Sequence, residues 1–230
     1  MPGTCYTSLQ LCALRVAQLQ ASGRPAVPGT NKGYVTDAAI KLQVSIALRA
    51  GKDLEQQNGC GAVCAAFKQP DRIKRVDLAM DLCQFDAQLV ALLTGGGVIS
   101  SGGNAVGYQF PPTTGSVDPL PLCIEAWSKA WQGNQQAVPA FTTPNAAYIH
   151  WVFPFTLWTH GQFTIEDALM VLPVAGQGQE NRNITINGPF DDWPAAVSAA
   201  GGITQVGGWF LDSTLPTVAC NYINTTSAAS

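Results

Sequence analysis

The sequence predicts an all-β domain with one short flanking helix, a β-sandwich or barrel. Three observations carry this. Apolar residues alternate with polar ones in several runs, 23 Gly and 15 Pro punctuate 230 residues, and only one segment has helical spacing between a cap and a stop. The whole chain, 1–230, reads as a single domain, since strong strand signals resume beyond every irregular stretch.

Ile40, Leu42, Val44, Ile46 and Leu48 alternate with Lys41, Gln43, Ser45 and Ala47, a period of two that no helix turns into one apolar face. Val63, Ala65 and Phe67 form a second run. After the Gln69-Pro70-Asp71 turn comes a third, Val76, Leu78, Met80 and Leu82, whose other face carries Asp77, Ala79 and Asp81. Asp86 is then placed to cap a helix containing Leu89, Val90, Leu92 and Leu93, and Gly95 stops it. Residues 94–121, with seven Gly and four Pro, read as a long loop. Strands follow at 122–131 and 149–158. The second is aromatic on both faces and therefore central, with Pro154 at a bulge. Further strands are expected at 168–175, 207–211 and 218–223, a polar loop at 176–188, and a flexible tail at 225–230.

Composition narrows the function. Charged residues are only 12% of the chain against 47% hydrophobic, so part of the folded surface is expected to meet other subunits. A net charge of −3 gives no overall basic field for nucleic acid. The charge is uneven, however: residues 1–75 hold ten Lys/Arg and four Asp/Glu, and residues 76–230 hold two and eleven. Seven cysteines and no signal-peptide pattern suggest reduced thiols made in a cytoplasm. The longest apolar stretch, 149–158, is too short for a membrane span.

No enzymatic constellation emerges. The two histidines, His150 and His160, fall in or beside the aromatic strand, away from any Gly-x-Ser-x-Gly context. Cys60 and Cys64 have the wrong spacing for a zinc knuckle and read as small buried hydrophobes. Glu166/Asp167 and Asp191/Asp192 are sequence neighbours that point apart on extended chain, hence solvated loop carboxylates rather than a glycosidase pair. Gly95-Gly96-Gly97 lacks the following Lys-Ser/Thr of a phosphate loop, and the tryptophans read as core. The expectation is a protein without catalytic groups, cofactor or metal.

The order of short motifs is more informative. Arg15-Val16-Ala17-Gln18-Leu19, Gly23-Arg24-Pro25, Tyr34-Val35-Thr36-Asp37, Asn58-Gly59 with Cys64, the basic turn from Lys68 to Arg75, Leu78-x-x-Asp81-Leu82-Cys83, and Leu89-x-x-Leu92-Leu93-Thr94-Gly95 follow one another. His150-Trp151-Val152-Phe153-Pro154 and Asn181 ahead of Gly188-Pro189-Phe190 complete the series. The series resembles the major tail proteins of long-tailed phages that infect actinobacteria.

That resemblance implies a tail-tube β-sandwich flanked by a helix. Six copies close a ring by joining sheets, and rings stack into a tube that channels DNA from capsid to host. The implied partners are the chain itself, a tape measure protein, tail-end proteins and passing DNA, in a virion tail assembled in the host cytoplasm. Asp77 and Asp81 become candidates for the lumen wall, where trapped phosphates would be a liability. Lys52, Asp53, Leu54, Glu55, Gln56 and Gln57, between two strands, become the ring-stacking loop. A distal-tail or tail-cap protein of the same fold, a cytoplasmic carbohydrate-binding β-sandwich and a reduced-thiol enzyme are the alternatives.

Overall fold

The computed structural model describes residues 6–26, 32–113, 120–132, 148–165, 171–218 and 220–225. The expected strand at 168–175 and the tail at 225–230 lie partly outside these, and Glu166 and Asp167 wholly so. Strands dominate, as the alternating runs predict. In chain order they are β1 (Tyr6–Gln18), β2 (Gly33–Thr36), β3 (Ala39–Arg49), β4 (Asp53–Gln57), β5 (Val63–Lys68), β6 (Arg72–Leu82), β7 (Gly97–Ser101), β8 (Asn104–Gln109), β9 (Leu122–Gln132), β10 (Tyr148–His160), β11 (Leu172–Gly178), β12 (Gly208–Asp212) and β13 (Asn221–Ile223). Two helices interrupt them, α1 (Ala87–Thr94) and α2 (Ala195–Ala199). The five-residue α2 has no side-chain cap and no fully buried residue, which is why no periodicity announced it.

One antiparallel sheet holds nine strands in the order β13-β2-β1-β9-β10-β11-β6-β3, with β12 on β10. β10 is central, as its two apolar faces predict. Its first half pairs β12, its second half pairs β11, and the register slips between Phe153 and Thr156, around Pro154. A proline cannot donate to the ladder, so the bulge forms where the donor is missing. β3, at the far end of the order, comes back beside β1, with no ladder between the two among the described residues. The sheet is strongly curved without being hydrogen-bonded into a closed barrel.

The curve encloses the main core. Leu14 and Val16, Val76, Leu78, Met80 and Leu82, Leu122 and Ile124, and Trp158 meet Leu89, Val90, Leu92 and Leu93 of α1. Burying each of these large side chains contributes about 1.5–3 kcal/mol, which is what holds so short a helix in place. Asp86 caps α1, accepting from the Gln88 and Leu89 amides at 2.9 and 3.3 Å, and Gly95 ends it at φ 78°. The second Asp86 oxygen accepts from the Tyr34 hydroxyl, anchoring the cap to β2. On the other face of the sheet, Ala17, Leu19, Cys123, Val152 and Phe210 pack under Ile184, Phe190 and Trp193 of the irregular segment that follows β11.

The structure amends the reading of 94–121. Residues 97–109 are a β-hairpin, β7 against β8, turning at Gly102 and Gly103 with φ 59° and 83°. Both central residues of a two-residue type I′ turn need positive φ, and Gly-Gly supplies it. Apolar signal in the flanks is sparse, so composition alone resembled a loop.

Candidate functional site

The run Ile40 to Leu48 forms a strand as expected, but burial does not follow alternation. Among the described residues, β3 is hydrogen-bonded to β6 alone. Val44, Ile46 and Leu48 share the face of the buried Leu78 and Val76, yet remain 44%, 57% and 59% exposed. The core ends beneath β6, and none of the described residues covers the row beyond it. Edge strands of this length and apolarity are templates for pairing with another chain.

Beyond the core, β3 and β6 continue into β4 and β5, so residues 46–75 form a two-stranded arm. Gly51 bridges the two halves. Its amide donates to Asp71 at 2.9 Å, and a Cβ there would lie 1.7 Å from the Gln69 carbonyl oxygen. Asn58 closes the tip, its side chain accepting from the amides of Cys60 and Ala62 at 3.0 and 2.9 Å. Lys52 precedes β4, and Asp53, Leu54, Glu55, Gln56 and Gln57 are β4 itself, exposed throughout. The expected stacking loop is therefore an ordered ribbon. Leu54 stands directly opposite Phe67, and both are more than half exposed. Cys60 and Cys64 are exposed on this arm, correcting the expectation of buried thiols. Removed from the core, a two-stranded ribbon has no second layer to cover them.

The arm also answers where the charge imbalance resides. It holds six of the twelve Lys/Arg and three of the fifteen Asp/Glu. Arg49 and Arg72 face each other across its ladder, an arrangement that costs stability unless an anion offsets it.

Asp77 and Asp81 lie on the sheet face opposite the main core, both partly exposed. Each has a cation beside it: Arg75, two residues away on β6 itself, donates from Nε to Asp77 at 2.7 Å, and the neighbouring β3 brings Lys41 Nζ to 3.8 Å from Asp81. β6 on its own offers carboxylates beyond Val76, but in the sheet this face is close to neutral.

A second constellation is buried on the other side. Arg15 Nε donates to Glu125 at 2.6 Å, and its two terminal nitrogens hold Asp192 at 2.5 and 2.8 Å. Its guanidinium carbon lies 4.0 Å from the Phe190 ring centroid and 5.0 Å from that of Trp127. Trp193 Nε1 donates to the other Glu125 oxygen at 2.6 Å. His150 stacks on Trp127, its Nδ1 3.2 Å from Asp212 and its Nε2 3.4 Å from Glu125, the latter an electrostatic contact rather than a formed hydrogen bond. Asp192 thus departs from the expected solvated carboxylate: its side chain is half in water, yet it is fastened to a buried arginine.

Burial opposes ionisation here, and the partners prevail. Burial would raise the Glu125 carboxyl, but the Arg15 charge and the neighbouring His150 hold it well below the usual range. Arg15 is held above its ordinary value by Glu125 and Asp192 against the same burial. Asp212, also partly buried, is pushed down to about 2 by His150, Thr214 and Trp127. Burial drives the Cys123 thiol well above its ordinary value, so no nucleophilic thiolate stands beside these groups. With its carboxylates spent on structural partners, the cluster serves as a clasp joining β1, β9, β10 and β12 to the 179–193 segment. Sequence reasoning missed it because Arg15 lies 110 residues from Glu125 and 177 from Asp192.

Among the described residues no group of His, Cys, Asp and Glu is placed to hold a metal ion, and no helix is long and apolar enough to cross a membrane. No family model matches the chain, and no curated protein matches it significantly. What the fold defines is a mostly β-sheet domain with one large curved sheet, an open apolar edge and a projecting arm.

Proposed function

We propose that the chain is a tail-tube subunit of a phage virion, with six copies closing a ring and rings stacking into a conduit for DNA. The observation that carries this reading is β3: an edge strand of eleven residues whose apolar row finds no cover among the described residues of its own chain. Pairing that edge with a neighbouring copy satisfies its backbone and buries Val44, Ile46 and Leu48 in one step. The arm supports it independently, since a two-stranded ribbon without a second layer is at best marginally stable in water. Asp77 and Asp81 fit a lumen wall whose near neutrality neither traps nor strongly repels phosphate. The order of short motifs, which resembles that of actinobacteriophage major tail proteins, points the same way.

Purified protein examined by size-exclusion chromatography and negative-stain microscopy tests the reading. Rings or tubes are expected. A monodisperse monomer at high concentration, with no rings when tail partners are added, overturns it.

A further inference from the structure

Two features without a partner among the described residues of their own chain lie at opposite ends of one strand. β6 begins in the arm at Arg72 and ends at Leu82, roughly 35 Å further on. Just past that end opens a cleft of about 840 Å³, bounded by the start of α1, the β7–β8 hairpin and the end of β10. Phe85, Val106, Phe110 and Phe163 give it apolar walls, and the first three are more than half exposed.

The cleft's hydroxyl and charged groups are already spent. Thr94 donates its hydroxyl to the Val90 carbonyl at 2.7 Å, so it must accept from the Tyr108 hydroxyl, 2.8 Å away. The Tyr108 oxygen in turn accepts from His160 Nε2 at 2.6 Å. Asp86 is the one charged side chain among the described lining residues, and the α1 amides and Tyr34 occupy it. With no lysine or arginine among its described lining residues, the cleft is not built for phosphate or another anion. It suits an apolar projection from a surface of positive charge.

The arm is such a projection. Its Leu54 and Phe67 form one exposed apolar pair among an excess of lysine and arginine. A projection at one pole and a cleft at the other make a head-to-tail contact, which propagates along the strand direction instead of closing on itself. We propose that the arm of one copy enters the cleft of the next, seating Leu54 and Phe67 against Phe85, Phe110 and Phe163. This rests on the tube reading above and names the contact by which one ring holds the next, while the β3 edge acts sideways within a ring.

The test places photoreactive benzoylphenylalanine at position 67 of the full chain, irradiates it at assembling concentration, and maps the adducts by mass spectrometry. Intermolecular adducts within 84–110 are expected. Adducts confined to β3 or other surfaces overturn the contact even where tubes form. Phe110→Asp, at an exposed position, should keep the circular dichroism spectrum and the rings but lose the tubes, and normal tubes from it overturn the contact as well. Wild-type protein that neither assembles nor crosslinks removes the tube reading, and this contact with it.

Discussion

Arg15 of β1 stands directly opposite Glu125 of β9 in the antiparallel ladder, and its Nε donates across that pair at 2.6 Å. Both side chains are shut away from water, so neither charge can be solvated if the other is lost. Arg15→Ala or Glu125→Ala should therefore cost about 3–5 kcal/mol by urea denaturation. Asp192→Asn should cost less, about 1 kcal/mol or below, since that carboxylate is half in water. Equal losses at all three positions would show that the cluster is not organised around the Arg15–Glu125 pair.

Glu125 and Asp212 both titrate below their unfolded values, so their stabilising contribution is present above an unfolded pKa of about 4 and disappears as pH falls through the folded values. The thermal midpoint should fall as pH is lowered from about 5 toward 2. Asp212→Asn should flatten the upper part of that fall, and an unchanged slope in this variant would exclude Asp212 as a contributor.

Gly188 takes φ 77°, and a Cβ on it would lie 2.3 Å from the Trp193 indole. Gly188→Ala should displace Trp193 from Glu125, lowering stability by about 2 kcal/mol and red-shifting tryptophan emission. Asn181 holds the same segment by donating to the Gly23 and Pro154 carbonyls at 2.7 and 2.9 Å. Its replacement by Ala should cost about 1–3 kcal/mol, as both buried acceptors lose their donor.

Replacing residues 53–68 with a short Gly-Ser turn should leave the body's thermal midpoint within about 2 °C, because the hairpin packs on none of the core. On the proposed function this variant forms rings or monomers and no tubes, scored by negative stain. Normal tubes would reduce the arm to a surface connection.

Asp77→Lys combined with Asp81→Lys would turn a balanced face into one crowded with cations around Lys41 and Arg75. Tube assembly should survive, while DNA release from virions carrying the double variant slows in a salt-dependent way. Unchanged release would remove these residues from the lumen wall.

The elements legible in sequence were those whose information is local. Asp86 and Gly95 bracket α1 because a cap and a left-handed stop act within a few residues of themselves. The alternation of β6 and the apolar faces of β10 report their burial directly. β1 escaped notice although it is as long as β10: two register shifts, between Ser8 and Leu11 and between Leu11 and Ala13, break the period of two that would have revealed it. The clearest alternation of all, in β3, marked a strand correctly and said nothing about cover, since exposure depends on what lies next to the edge. The partners of Arg15 were equally out of reach, for a charge does not encode which distant carboxylate the ladder will set opposite it. By itself the sequence determined that β3, β5, β6, β9 and β10 extend, where α1 starts and stops, and that the charge is unequally shared. Only the tertiary structure decided which apolar faces remain bare and which charges meet, because both depend on strand neighbours brought together from across the chain.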